Sequence, residues 1–154
     1  MELITAFIIA LVSFLGLVIG MFLPFCNKDE LKSGRKYIIF MQKIILAAII
    51  IRISYYYDFS SVLLFLTIAL SFLLFIDKIK IKTQIIYPLL GIILYLSSKT
   101  TNLFVLISAL IFLFGLPSGI LIKTNEKGKI EKGFFKKISK NLGFFICIIL
   151  FLLF

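Results

Sequence analysis

Long apolar runs alternate along this chain with short polar stretches, most of them basic. A helix that crosses a bilayer core needs about 20 mainly apolar residues. Six runs approach that length: Leu3–Phe25, Tyr37–Tyr57, Phe59–Ile76, Ile85–Ser98, Leu103–Ile122 and Leu142–Phe154. The fourth, at 14 residues, and the sixth, at 13, are short. Transmembrane strands alternate apolar and polar residues over about 10 positions. These runs are continuously apolar, so they read as helices, whose backbone groups pair within each segment. The expected fold class is therefore all-α. A single polytopic membrane domain over residues 1–154 would hold six transmembrane helices.

Composition supports the membrane reading. The chain is 62% apolar, with a mean hydropathy of +1.17, against roughly 45–50% apolar in an average soluble domain. A soluble globule of this size buries only about 68–70% of its surface and has no room for so much Ile, Leu and Phe. A soluble domain, a disordered chain and a secreted disulfide scaffold are all excluded. The heavy use of Ile and Lys fits an AT-rich prokaryotic coding sequence, so the expected location is a prokaryotic cell membrane.

Net charge is +10, and its distribution carries the topology. The first loop holds Lys28, Lys32, Arg35 and Lys36, with Lys43 just inside the next run; the third holds Lys78, Lys80 and Lys82; the fifth holds seven Lys between Lys123 and Lys140. The other side has only Arg52 and Lys99, so 15 of the 17 basic residues fall in the odd-numbered loops. Basic loops stay in the cytoplasm, which places both termini outside. The alternation requires all six segments to cross. A cleaved signal peptide has a basic start and a short apolar core. The first run has Glu2 at its start and its basic cluster after it, so it is expected to be a retained helix.

The two short runs need adjustment. Extending the sixth back to Ile138 gives a span of 138–154, with Lys140 snorkelling to the interface; a re-entrant half-helix is the competing reading. The fourth has Pro88 near its start, where a missing amide costs little, and is read as spanning.

An offset of 99 residues aligns Gly16, Gly20 and Gly34 with Gly115, Gly119 and Gly133. Leu17 falls on Leu116, Lys28 on Lys127, and Ala10–Leu11 on Ala109–Leu110. The alignment reads as a duplicated helical hairpin whose copies run in the same direction, the alternative being two independent packing motifs. Ala6, Ala10, Ser13, Gly16 and Gly20 form a small-residue stripe of the kind that lets helices approach closely. Gly16, Gly20, Gly115 and Gly119 are therefore expected to pack helices. The stripe serves either contacts within the chain or a dimer.

Few residues offer chemistry. The chain has no His, so no imidazole base, and its two Cys are too few for a zinc site. No catalytic residue, metal site or cofactor is expected. A Ser–Lys dyad using Lys43 would be the one enzymatic route, and an enzyme is the least supported class. Lys43 and Arg52 are the charges inside a predicted span, and intramembrane charges are functional candidates by default. Nine residues apart, they point to opposite faces of one helix. They read as contacts to an anionic substrate or lipid headgroup, with Gln42 assisting; the alternative is that both snorkel to opposite interfaces. Pro117, between Gly115 and Gly119, should kink or open its helix, as in the broken helices of transporter sites. No Asp or Glu falls inside a run, which argues against proton-coupled carriage.

Tyr55, Tyr56 and Tyr57, and likewise Tyr87 and Tyr95, are expected in interfacial belts. Ile130, Phe134, Phe135 and Ile138 recur at helical spacing among Lys, as in a basic amphipathic helix on anionic inner-leaflet lipid. Nucleic acid is not expected as a partner. The bilayer is, with other membrane subunits or further copies as candidates. Two function classes follow. One is a small transport protein or the membrane subunit of a transporter. The other is a non-catalytic structural or assembly subunit of a larger membrane complex.

Overall fold

The computed structural model describes residues 3–26, 31–57, 69, 83–124, 139, 141, 143 and 144. They form four helices: α1 (Leu3–Cys26), α2 (Leu31–Tyr56), α3 (Thr83–Ser97) and α4 (Thr101–Lys123). No strand occurs among the described residues. Within α1, α2 and α4, the stretches Phe7–Phe25, Ser33–Tyr56 and Thr101–Lys123 are long and apolar enough to cross a membrane, and α3 is a shorter apolar helix. The predicted runs Phe59–Ile76 and 138–154 lie outside the described residues, apart from Ala69, Ser139, Asn141, Gly143 and Phe144.

One boundary moves. α2 begins at Leu31, not Tyr37, so the basic stretch through Lys36 is helical. Leu, Lys and Arg are good helix formers, and a helix need not end where the lipid does. At 26 residues and about 1.5 Å per residue, α2 is longer than the roughly 30 Å bilayer core.

Burial is inverted relative to a soluble protein. Ile4, Ile8, Leu11, Val12, Leu15, Ile19, Phe22 and Leu23 of α1 are exposed, whereas Ser13, Gln42, Lys43, Ser54 and Ser118 are buried. Such an apolar exterior suits contact with lipid. The core joins Ala10, Phe14 and Leu17 of α1 to Leu46 and Ile49 of α2, to Leu90 and Leu94 of α3, and to Ile107, Ile111 and Phe114 of α4. Along α1 the buried positions 10, 14, 17 and 21 repeat at the three- and four-residue steps of one helix face.

α1 and α4 make the closest crossing. A Cβ on Gly16 would strike the carbonyl of Phe112, and one on Gly20 the carbonyl of Leu116. A Cβ on Gly119 would strike the carbonyl of Leu17, and one on Gly115 the backbone of Gly16 and Leu17. Each glycine presents a hydrogen where any other residue carries carbon, so backbones touch. Cα–H···O contacts of this kind contribute about 0.5–1 kcal/mol each. Residue numbers rise together across the crossing, so the two helices are parallel. Pro117 lies inside this contact, and α4 nevertheless continues unbroken to Lys123. The proline does not open the helix, which corrects that part of the expectation. Neighbouring helices in a bundle can hold such a turn in place.

Helix directions follow from the remaining contacts. Gln42 pairs with Ser118 and Arg35 with Thr124, so α2 runs antiparallel to α4. The Tyr57 hydroxyl donates to the Leu96 carbonyl at 2.8 Å, which brings the carboxyl ends of α2 and α3 together. Ser98 N–H to Tyr95 O and Thr100 N–H to Ser97 O turn the chain from α3 into α4. Tyr57 and Thr83 consequently lie at opposite ends of the bundle.

Candidate functional site at the basic end of the bundle

The end where α2 starts and α4 finishes gathers Arg35, Lys36 and Lys123, with Lys43 midway along α2; Arg52 and Lys99 lie at the other end. Arg35 and Gln42 are seven residues apart, two helical turns, and so share a face of α2. That face meets α4. The Gln42 carboxamide donates to the Ser118 hydroxyl at 2.9 Å, and both residues are buried. One end of the seam is closed by Arg35, whose Nη1 donates to Thr124 Oγ1 at 3.1 Å. Thr124 in turn donates to the Ile120 carbonyl at 2.8 Å.

Two lysines are enclosed beside this seam. Lys43 and Lys123 are each only 4% exposed. Lys123 Nζ lies 5.3 Å from the centre of the Phe25 ring, where the negative face of the π-system attracts a cation. The last carbonyls of α4 carry the negative end of its dipole, which also favours Lys123 and Arg35 there. Burying a charge at membrane depth is costly, so the seam concentrates expense in one place. Its polar groups are a guanidinium, two ammonium groups, a carboxamide and the Ser118 hydroxyl, the Thr124 proton being given to Ile120. That set suits an oxygen-rich anion.

The structure brings together three of the four candidate contact residues. Gln42 and Lys43 are buried on α2, and Pro117 is buried on α4 beside Ser118. Arg52 is exposed, nine residues along α2 at the opposite end, and takes no part. Gly16 and Gly20 face Gly115 and Gly119 across the α1–α4 crossing, away from the seam. Arg35, Ser118 and Thr124 join the seam, and Lys123 lies against Phe25 of α1 at the same end; sequence reasoning did not single them out. The seven-residue spacing of Arg35 and Gln42 is the signal that marks them as one face.

Tyr87 is a correction. Its place near the end of a short run suggests an interfacial belt, but it is fully buried. Its ring centre lies 5.9–6.0 Å from those of Phe14, Phe114 and Phe144. α3 packs into the bundle along its length, so Tyr87 faces the core. Its hydroxyl has no hydrogen-bond partner among the described residues. Tyr55, by contrast, is 65% exposed at the end of α2. The hydroxyls of Ser13, Ser54, Ser97 and Ser108 donate to carbonyls three or four residues back in their own helices. They are satisfied locally and offer little to a ligand. No cluster of three metal-binding side chains occurs among the described residues. Comparison with protein-family models, with curated proteins and with solved structures returns no match.

Proposed function

We propose that the chain crosses the membrane six times and acts as a small transport protein, or as the membrane subunit of a transporter, with its solute site in the α2–α4 seam. The observation that carries this reading is the buried Gln42–Ser118 bond between Lys43 and Pro117. Polar groups at membrane depth are costly, and where they occur they mark pathways and binding sites. The helix directions support one crossing beyond the four described helices, and the sixth rests on the apolar run 138–154. α1 parallels α4, and α2 parallels α3, so one further crossing between Tyr57 and Thr83 satisfies both relations. The run Phe59–Ile76 has the composition for it. The excess of Lys and Arg in the odd-numbered loops supports a basic end inside the cell and both termini outside.

Purified protein in liposomes tests the reading through flux of a panel of small anions. Lys43→Leu is expected to reduce flux by about tenfold or more, the equivalent of about 1.4 kcal/mol, with folding preserved. A correctly folded protein that moves no member of the panel would overturn it. The structural-subunit reading draws on a different observation: the tight α1–α4 crossing and the locally satisfied serines make most of the interior a packed bundle. Stoichiometric co-purification of another membrane protein in mild detergent would favour that reading.

A further inference from the structure

A site buried in the α2–α4 seam needs a way in from water, and the two helices differ in how firmly they are held. α4 is fixed. Gly115 and Gly119 bring its backbone against that of α1, and Ser118, Lys123 and Thr124 at its end are all buried. The basic end of α2 is the opposite case. No residue from Ser33 to Met41 is buried, whereas Gln42, Lys43, Leu46, Ala47 and Ile49 are. Low burial marks the parts of a fold that open at small cost.

Gly34 lies within that stretch. The glycines where α1 crosses α4 make room for backbone, but a Cβ on Gly34 would meet nothing within 4 Å. Packing does not ask for glycine there, and its effect is to weaken the helix. Location lowers the cost of opening further. α2 has 26 residues, more than the bilayer core takes up. Lys32, Arg35 and Lys36 favour headgroups and water for its first turns. Backbone groups freed there bond to water, which the lipid interior cannot offer.

A side chain ties this stretch down. Arg35 Nη1 donates to Thr124 Oγ1 at 3.1 Å, just past the end of α4. Two turns further in, the Gln42–Ser118 bond at 2.9 Å marks where α2 becomes buried. We infer that Ser33–Met41 is a strap that gates the seam from the basic end, with the Arg35–Thr124 bond as its latch. Latched, the strap shields Ser118. Unlatched, its first turn unwinds into water at Gly34, and the rest tilts away from α4 about the buried part of α2. This deepens the transport reading by giving the same site its entry path, and the opening itself is measured without a solute. Arg35 has a further interaction besides Thr124, so the test removes the bond from both sides.

The full-length protein in non-ionic detergent, with Cys26 and Cys147 replaced by Ala and Ser118→Cys as reporter, tests this. The readout is the rate of labelling by a small water-soluble thiol reagent. Where closing outpaces labelling, that rate follows the open fraction. Labelling should be slow in the reporter protein. Arg35→Gln and Thr124→Val should each speed it about tenfold, as loss of a charge-assisted hydrogen bond does. Both together should be no faster than Arg35→Gln alone, because they remove one shared bond. Arg52→Gln, at the other end, should leave the rate unchanged. Thermal unfolding checks that each variant is folded, and if Arg35→Gln is not, Thr124→Val reads the same bond. Latch variants that label at the reporter's rate overturn the inference, as does Arg52→Gln speeding labelling as much as they do. Faster labelling in a protein that moves no anion keeps the strap and removes transport. Anion flux with labelling indifferent to the latch variants does the reverse.

Discussion

Gly16 and Gly34 are both helical glycines, and the structure gives them opposite roles. Gly16 touches the backbone of α4, whereas a Cβ on Gly34 would meet nothing within 4 Å. Gly16→Leu should therefore force the helices apart and destabilise the bundle by at least the 1–3 kcal/mol or so typical of overpacking. Gly34→Ala should stabilise it by about 0.5–1 kcal/mol, because alanine loses less backbone entropy in a helix. Thermal unfolding in one detergent reads both. Tyr87→Phe is a third case. Its hydroxyl is buried without a hydrogen-bond partner among the described residues, and a buried unsatisfied polar group costs about 1–3 kcal/mol. The substitution should leave the melting temperature unchanged or raise it, and a marked fall would show that the hydroxyl is paired. Small-residue spacing made Gly16 legible in the sequence. Nothing local distinguished Tyr87 from a belt tyrosine, because the facing rings come from residues 14, 114 and 144.

At the scale of elements, the bilayer makes sequence easy to read in one respect and hard in another. Length and apolarity mark α1, α2 and α4 because a spanning helix must satisfy its own backbone over a fixed thickness. Apolar residues on all sides then hide which face meets a neighbour. The two Gly-x-x-x-Gly motifs were visible, but their meeting was not, since 99 residues separate them. The start of α2 was missed because charge was taken as the end of helix, although Arg35 uses its helical register to reach Thr124. Parallel packing of α1 and α4 predicts a cross-linking pattern. With Cys26 and Cys147 replaced by Ala, Phe25→Cys with Lys123→Cys should join through a short bifunctional thiol reagent. Phe25→Cys with Lys99→Cys should not, because α4 is 23 residues long and separates those ends by about 35 Å at 1.5 Å per residue. The reverse result would mean that the two helices are antiparallel.

For the whole molecule, two kinds of observation converge on one arrangement. Basic residues are segregated by loop, and helix directions among α1 to α4 place Arg35 and Lys123 at one end with Arg52 and Lys99 at the other. Lys43 differs from these end charges, since it lies buried within the bundle. The central claim is the six-crossing arrangement with its basic end in the cytoplasm. Single Lys99→Cys and Lys129→Cys variants, in a background with Cys26 and Cys147 replaced by Ala, test it through labelling of intact cells with a membrane-impermeant thiol reagent. The expected result is labelling at position 99 and protection at 129 until the cells are opened. Equal labelling of both positions, or labelling at 129 alone, would contradict it.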